Sequence, residues 1–209
     1  MAWFNPVRPL PEITTETLSI PLFPLNTVLF PGSLLPLKIF EQRYLDMAAA
    51  CMKDNKPFGV CLIASGKEAG SIAQPHAIGT LARIIQWDMP QLGMLMVTAQ
   101  GAERFEIIQS HPTKDLLEAE VKTIADTGPT PFPAERNRLL PFLQRVINDL
   151  GPERVASPHR FDEAEWVGYR ITEILPIQNL AKQKLLELDD AVMRLEILEK
   201  FLDQRQLLI

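Results

Sequence analysis

Apolar and polar positions alternate with period two over the first 124 residues and with period three to four after about residue 134. Leu18, Ile20 and Leu22 alternate with Thr17, Ser19 and Pro21, which predicts a half-buried edge strand. Phe30-Pro31-Gly32-Ser33 reads as a turn, and Leu34–Phe40 as a second strand. Tyr44, Leu45, Ala48, Cys51 and Met52 share one face of a helix predicted over Glu41–Lys53, and Asn55 to Pro57 end it. The unbroken apolar run Phe58–Ala64 predicts a buried strand. Ile78–Trp87 and Gly93–Gln100 flank Asp88–Leu92 as a long hairpin. Phe105 with Ile107, then Leu117, Ala119 and Val121, give two further strands, with Glu118, Glu120 and Lys122 facing solvent.

The pattern changes at Asp126–Pro133, where three prolines and a glycine close together read as a rigid linker. Helices follow. Leu139, Phe142, Leu143, Val146, Ile147 and Leu150 mark the first, with Pro141 as an expected kink and Gly151-Pro152 as its stop. Trp166, Tyr169, Ile171 and Ile174 mark a second that ends before Pro176, and Asn179–Leu186 a third. Asp189 is the expected N-cap of the last, where Val192, Leu195, Leu198 and Leu202 repeat at helical spacing. The boundaries are therefore a β-rich domain over 1–126, a linker over 127–133 and a helical bundle over 134–209.

Composition and charge narrow the function classes. The 209 residues are 46% hydrophobic and 22% charged, enough apolar material for a core. No apolar run reaches the length of a membrane helix, and the opening Met1-Ala2-Trp3-Phe4-Asn5-Pro6 lacks the basic and apolar regions of a secretion signal, so a cytoplasmic protein is expected. Cys51 and Cys61 are too few for a disulfide scaffold. Net charge is −5, spread over both parts of the chain. Without a basic cluster, phosphate neutralisation by a nucleic-acid binder has no visible source.

Catalytic signatures are missing. The sequence holds no GxxxxGK[ST] phosphate loop, no GxGxxG after a strand, no GxSxG and no HExxH. His76, His111 and His159 lie far apart, and none has a metal-ligand neighbour at a useful spacing, so no metal or cofactor is expected. His111 with Asp115 mimics a catalytic pair, but no nucleophile is tied to it, and a loop histidine explains it. Cys61 sits in an apolar strand, where a thiol is a small buried hydrophobe.

Several motifs in order carry a family resemblance. LSIPLFPLNTVLFPG over residues 18–32 resembles the opening strand and turn of the amino-terminal, substrate-binding domain of Lon proteases. IGTLARI over 78–84 is similar to that family's VGTxARI strand, and QGAERF over 100–105 to its EGxxRF turn and strand. LPLKIFEQRY over 35–44 resembles the stand-alone bacterial members, with Gln42 where they carry proline. KQKLLE over 182–187 and Arg194-Leu195 are similar to later family signals. The resemblance implies an α+β chain: a PUA-like six-stranded pseudo-barrel with one early helix, followed by a carboxy-terminal helical bundle. It implies no catalytic residue, because the ATPase and Ser-Lys peptidase modules of Lon have no counterpart here. Gly32, Gly79 and Gly101 are expected where the chain needs positive φ or close approach. Arg83 and Arg104 are expected at solvent or beside a carboxylate.

The resulting expectation is a non-catalytic module that binds unfolded or partner polypeptide. A small-molecule sensor or enzyme using a cleft between barrel and bundle is the alternative, ahead of a nucleic-acid binder. Trp87, Met94 and Met96 are expected to fill the core. Met89 and Leu92, at the hairpin turn, are expected to be exposed. With Phe30 and Pro31 from the neighbouring turn, they form the expected contact for a peptide or a sister subunit.

Overall fold

A computed structural model describes residues 17–67, 73–113, 116–124, 128–151, 154–155 and 157–208. The chain is α+β, with a mostly antiparallel sheet and five α-helices, and divides into two compact units, 1–125 and 126–209.

The first unit contains β1 (Thr17–Leu25), β2 (Leu34–Ile39), α1 (Gln42–Asp54), β3 (Phe58–Ser65), β4 (Gln74–Pro75), β5 (Ile78–Gln91), β6 (Met94–Thr113) and β7 (Leu116–Ile124). β1 pairs antiparallel with β7 and parallel with β3; β7 pairs with β6, β6 with β5, and β5 with β3, so the ladder returns to its start. β2 lies on the other side of β6, opposite Leu95–Gln100.

β1, expected as an edge strand, divides its pairing between two strands. Thr17–Leu22 pairs with β7 and Leu22–Leu25 with β3, so each half has one partner strand, and Pro21 and Pro24 fall in different halves. A proline is tolerated where the ladder runs along one side only. The β5–β6 turn is also tighter than expected. The strands run to Gln91 and from Met94, leaving Leu92-Gly93 as a two-residue turn with Gly93 at φ 81°.

Period-two alternation places Leu95, Val97 and Ala99 inward. They join Ile39, Phe58 and Val60 and the buried face of α1 (Tyr44, Met47, Ala48 and Cys51) in one cluster. Phe23 stacks on Tyr44 at 4.0 Å between ring centroids. Ile20, Leu22, Cys61, Leu81, Phe105, Ala119 and Val121 form a second cluster. Thr80, wholly buried, donates its hydroxyl to the Leu29 carbonyl at 2.6 Å, tying β5 to the segment between β1 and β2. Arg104, expected at solvent or beside a carboxylate, is buried next to Phe105 in β6. Arg83 donates to the Asn55 carbonyl (3.2 Å).

The second unit carries α2 (Leu139–Leu150), α3 (Ala164–Ile174), α4 (Asn179–Glu187) and α5 (Ala191–Gln204). Leu139, Leu143, Ile147, Trp166, Val167, Ile171, Leu195, Leu198 and Leu202 belong to its core. Pro141 does not kink α2. It occupies the first turn, where its missing N–H has no helical acceptor. Asp190, not Asp189, caps α5: its carboxylate accepts the Met193 N–H at 2.9 Å, the N3 donor a capping side chain reaches. Arg194 is wholly buried. Its Nε donates to the Leu185 carbonyl (2.9 Å), an Nη to that of Leu188, and its guanidinium lies 4.3 Å from the Tyr169 ring centroid.

Part of the stretch expected as linker belongs to this unit. Thr130 donates its N–H to Glu165 (2.9 Å) and accepts from Ala164 (2.8 Å), while Phe132 donates to Asp162 (2.7 Å). Among the described residues no helix is long and apolar enough to cross a membrane.

Candidate functional site

The β5–β6 hairpin outruns the core. The cluster under α1 takes Ala82 and Ile84 from β5 and stops there. From Ile85 to Gln91 every residue is exposed. Trp87 lies opposite Val97, but with no core member beneath it the indole is 52% exposed, against the expectation that it fills the core. Met96 is also exposed, and Met94 is half-buried; both occupy the face of β6 opposite the buried Leu95 and Val97. Met89 is 46% exposed and Leu92, at the turn, 97%.

The structure does not bring all four expected contact residues together. Phe30 is wholly buried and cannot meet a partner at the surface, which corrects that expectation. Pro31 is half-buried in a turn fastened to Gly101, where the Gly32 N–H reaches the Gly101 carbonyl at 2.8 Å. Gly101 is eight residues along β6 from the hairpin turn, roughly 25 Å of strand. The two turns sit at opposite ends of the same β2–β6 ladder. Phe40, 61% exposed, is nearer the hairpin, because it follows Ile39, the partner of Leu95. Its signal in the sequence is the adjacent pair Ile39-Phe40: in a strand facing one core, two consecutive large apolar residues cannot both point inward.

Electrostatics set the hairpin apart. Between Ile84 and Thr98 the only charged side chain is Asp88. Asp88 lies opposite Met96, which lies opposite Lys38 on β2, so an acid and a base flank the methionine on one face. On that face an apolar side chain is rimmed by charges of both signs, while Trp87, opposite Val97, lies on the other face.

Groups able to do chemistry are poorly placed for it. Burial, helped by Asp54, pushes the Cys51 thiol up to about 11, and burial raises that of Cys61 further, so both are thiols at neutral pH. His111 Nε2 lies 3.9 Å from a Glu118 carboxylate oxygen on the exposed β6–β7 arm, while Asp115 is outside the described residues. Among the described residues no three His, Cys, Asp or Glu side chains gather as metal ligands.

Comparison with known proteins points the same way as the motifs. The solved structure of a Lon N-terminal domain protein from Xanthomonas campestris is 35% identical and superposes with a TM-score of 0.72, covering 87% of this chain and 96% of that one. The N-terminal domain of the Mycobacterium avium complex Lon protease, 19% identical, shares the fold with a TM-score of 0.61 over 86% of this chain and 95% of its own. The Lon protease of Cytophaga hutchinsonii is 26% identical across 96% of this chain, which spans 27% of that protein; for the Flavobacterium johnsoniae Lon protease the figures are 29%, 90% and 22%. The chain thus spans about a quarter of the curated relatives it matches. The family described as the ATP-dependent protease La (LON) substrate-binding domain matches residues 19–204, and the chain belongs to that family.

Proposed function

We propose that this chain is a non-catalytic module of the cytoplasm that binds polypeptide through the β5–β6 hairpin, with a PUA-like pseudo-barrel in 1–126 presenting the hairpin and a helical bundle following the 127–133 segment. The observation that carries this reading is the exposure of Trp87, Met89, Leu92 and Met96 on a hairpin with one charge between residues 84 and 98. Exposed apolar side chains on both faces of a hairpin that has outrun its core mark an interaction surface rather than a fold requirement. Methionine adapts to varied partners, which suits a module that meets many sequences. The family's substrate-binding description supports the same class of ligand.

The test is the double substitution Met89→Ser and Leu92→Ser, with fluorescein-labelled casein as an unfolded probe. Both side chains are exposed, so the melting temperature should stay within about 2 °C of the parent. Probe affinity measured by anisotropy should fall about tenfold. Unchanged affinity would move the binding surface elsewhere.

A further inference from the structure

The hairpin has a second property, which belongs to its backbone. β3 pairs with β5 only through Phe58–Val60, opposite Thr80–Ala82, and Pro57 precedes the first of these residues. Beyond Ala82, among the described residues, β5 has β6 on one side and no strand on the other.

The hydrogen-bond phase can be read from the neighbouring ladder. The Gly101 N–H donates to the Ser33 carbonyl at 2.9 Å, while Leu34 stands opposite Gln100. In an antiparallel pair this makes Leu34–Gln100 non-bonded, so Leu95, Val97 and Ala99 bond to β2. Met96 and Thr98 then direct their N–H and C=O toward β5, to Asp88 and Gln86. Trp87, between those two, directs its own N–H and C=O away from β6, into the free edge.

The other free edges are blunted. On β2 the same phase turns Leu34, Pro36 and Lys38 outward, so that edge lacks one donor and carries a lysine. β6 beyond Ile107 carries Pro112 close to its end. Natural sheets use proline and lysine in this way to stop unwanted pairing. Along Ile85–Met89 the β5 edge has neither; Pro90 comes only as the strand ends, and the register irregularities at Ile84–Gln86 and Asp88–Gln91 bound a regular stretch centred on Trp87.

We propose that the β5 edge over Ile85–Met89 takes an extended polypeptide segment as an added strand. Main-chain hydrogen bonds run to the N–H and C=O of Trp87, and apolar side chains of the segment lie against Trp87 and Met89. This rests on the polypeptide-binding reading above and specifies its mode. The edge is nearly uncharged, so its ligand is an uncharged, apolar stretch with free backbone donors. Selection is then by conformation. A folded protein has its strand backbones already paired, a proline-rich segment lacks donors, and an unfolded β-prone segment satisfies both demands.

The experiment uses the full chain and a short fluorescein-labelled peptide of alternating valine and threonine, together with the same peptide N-methylated at every residue. Strand addition expects the unmodified peptide to bind and the methylated one to bind at least about tenfold more weakly. On the protein side, Trp87→Val keeps the edge donor and should retain binding better than Trp87→Pro, which removes it; circular dichroism checks that both fold, and the peptide comparison needs no variant. Equal affinity for the two peptides overturns strand addition while leaving polypeptide binding intact. Failure of the unmodified peptide to bind removes both. A dimer in sedimentation that Trp87→Pro dissociates and the peptide does not compete with would assign the edge to a second copy, overturning the proposal.

Discussion

At Gly101 a Cβ would fall on the carbonyl oxygen of Phe30, a backbone atom that cannot swing aside. Gly101→Ala should therefore cost about 3 kcal/mol, measured by urea denaturation, and lower the melting temperature of the first unit. The sequence shows that a glycine stands in a family motif; that the obstacle is the main chain of a turn 71 residues earlier is visible only in the fold. Arg194 is comparable. As one arginine in a late motif it looks like a surface charge, yet it is buried and supplies donors to the carbonyls that end α4. Arg194→Met keeps much of the volume, removes the donors and leaves those carbonyls unsatisfied, so a loss of about 2 kcal/mol is expected in the same assay. Trp87 marks where residue-level reading failed. Apolar strand residues are usually core, but a strand can run past the residues that cover it, and alternation carries no information on where the cover ends.

Among elements, α5 is held at both ends by polar contacts that the apolar repeat does not announce. Asp190→Ala removes the cap on Met193 and should cost about 1 kcal/mol. Farther along, Arg136 pairs with Glu199 and Glu196, and Arg138 with Asp203 (2.6 Å). Hydrogen bonds from Lys200 and Arg138 hold the Glu196 and Asp203 carboxyls below their usual ranges. Carboxyl groups with depressed pKa values in the folded state stabilise it above the ordinary carboxylate range, and that contribution disappears as pH falls through the lowered values. The melting temperature should thus decline in acid, less steeply when Arg138→Met and Lys200→Met are combined. The shift should be small and salt-sensitive, because the groups are exposed. Helix positions and most strands were legible from periodicity to within a few residues, but the stretches expected separately over 93–100 and at Phe105 with Ile107 form the single strand β6. Caps and turns were less so, since Asp189 and Asp190 are chemically alike and only the direction of the Met193 N–H separates them.

For the whole molecule, 26 acidic residues outnumber 21 basic ones, and repulsion between copies opposes contact through the exposed hairpin. The net charge falls to zero near pH 5.3. Light scattering should show association rising toward that pH and should show less of it for the Met89→Ser, Leu92→Ser chain. Equal scattering from both would place the adhesive surface elsewhere. The change of period at about residue 134 separates β-rich from helical sequence, but proline content says nothing of the bonds Thr130 and Phe132 make to residues 162–165.

The split pairing of β1 also imposes an order on synthesis. Its second half meets β3 about 37 residues later in the chain, whereas Thr17 waits for Lys122, 105 residues away. At about 5–20 residues per second on a ribosome, that gap is on the order of 5–20 s. During it Leu18 and Ile20 belong to a strand whose partner does not yet exist. Contacts this distant slow ring closure, so a nascent chain stalled before β7 presents an apolar half-strand to its surroundings, and a binder of unfolded segments is itself, for those seconds, a candidate for capture.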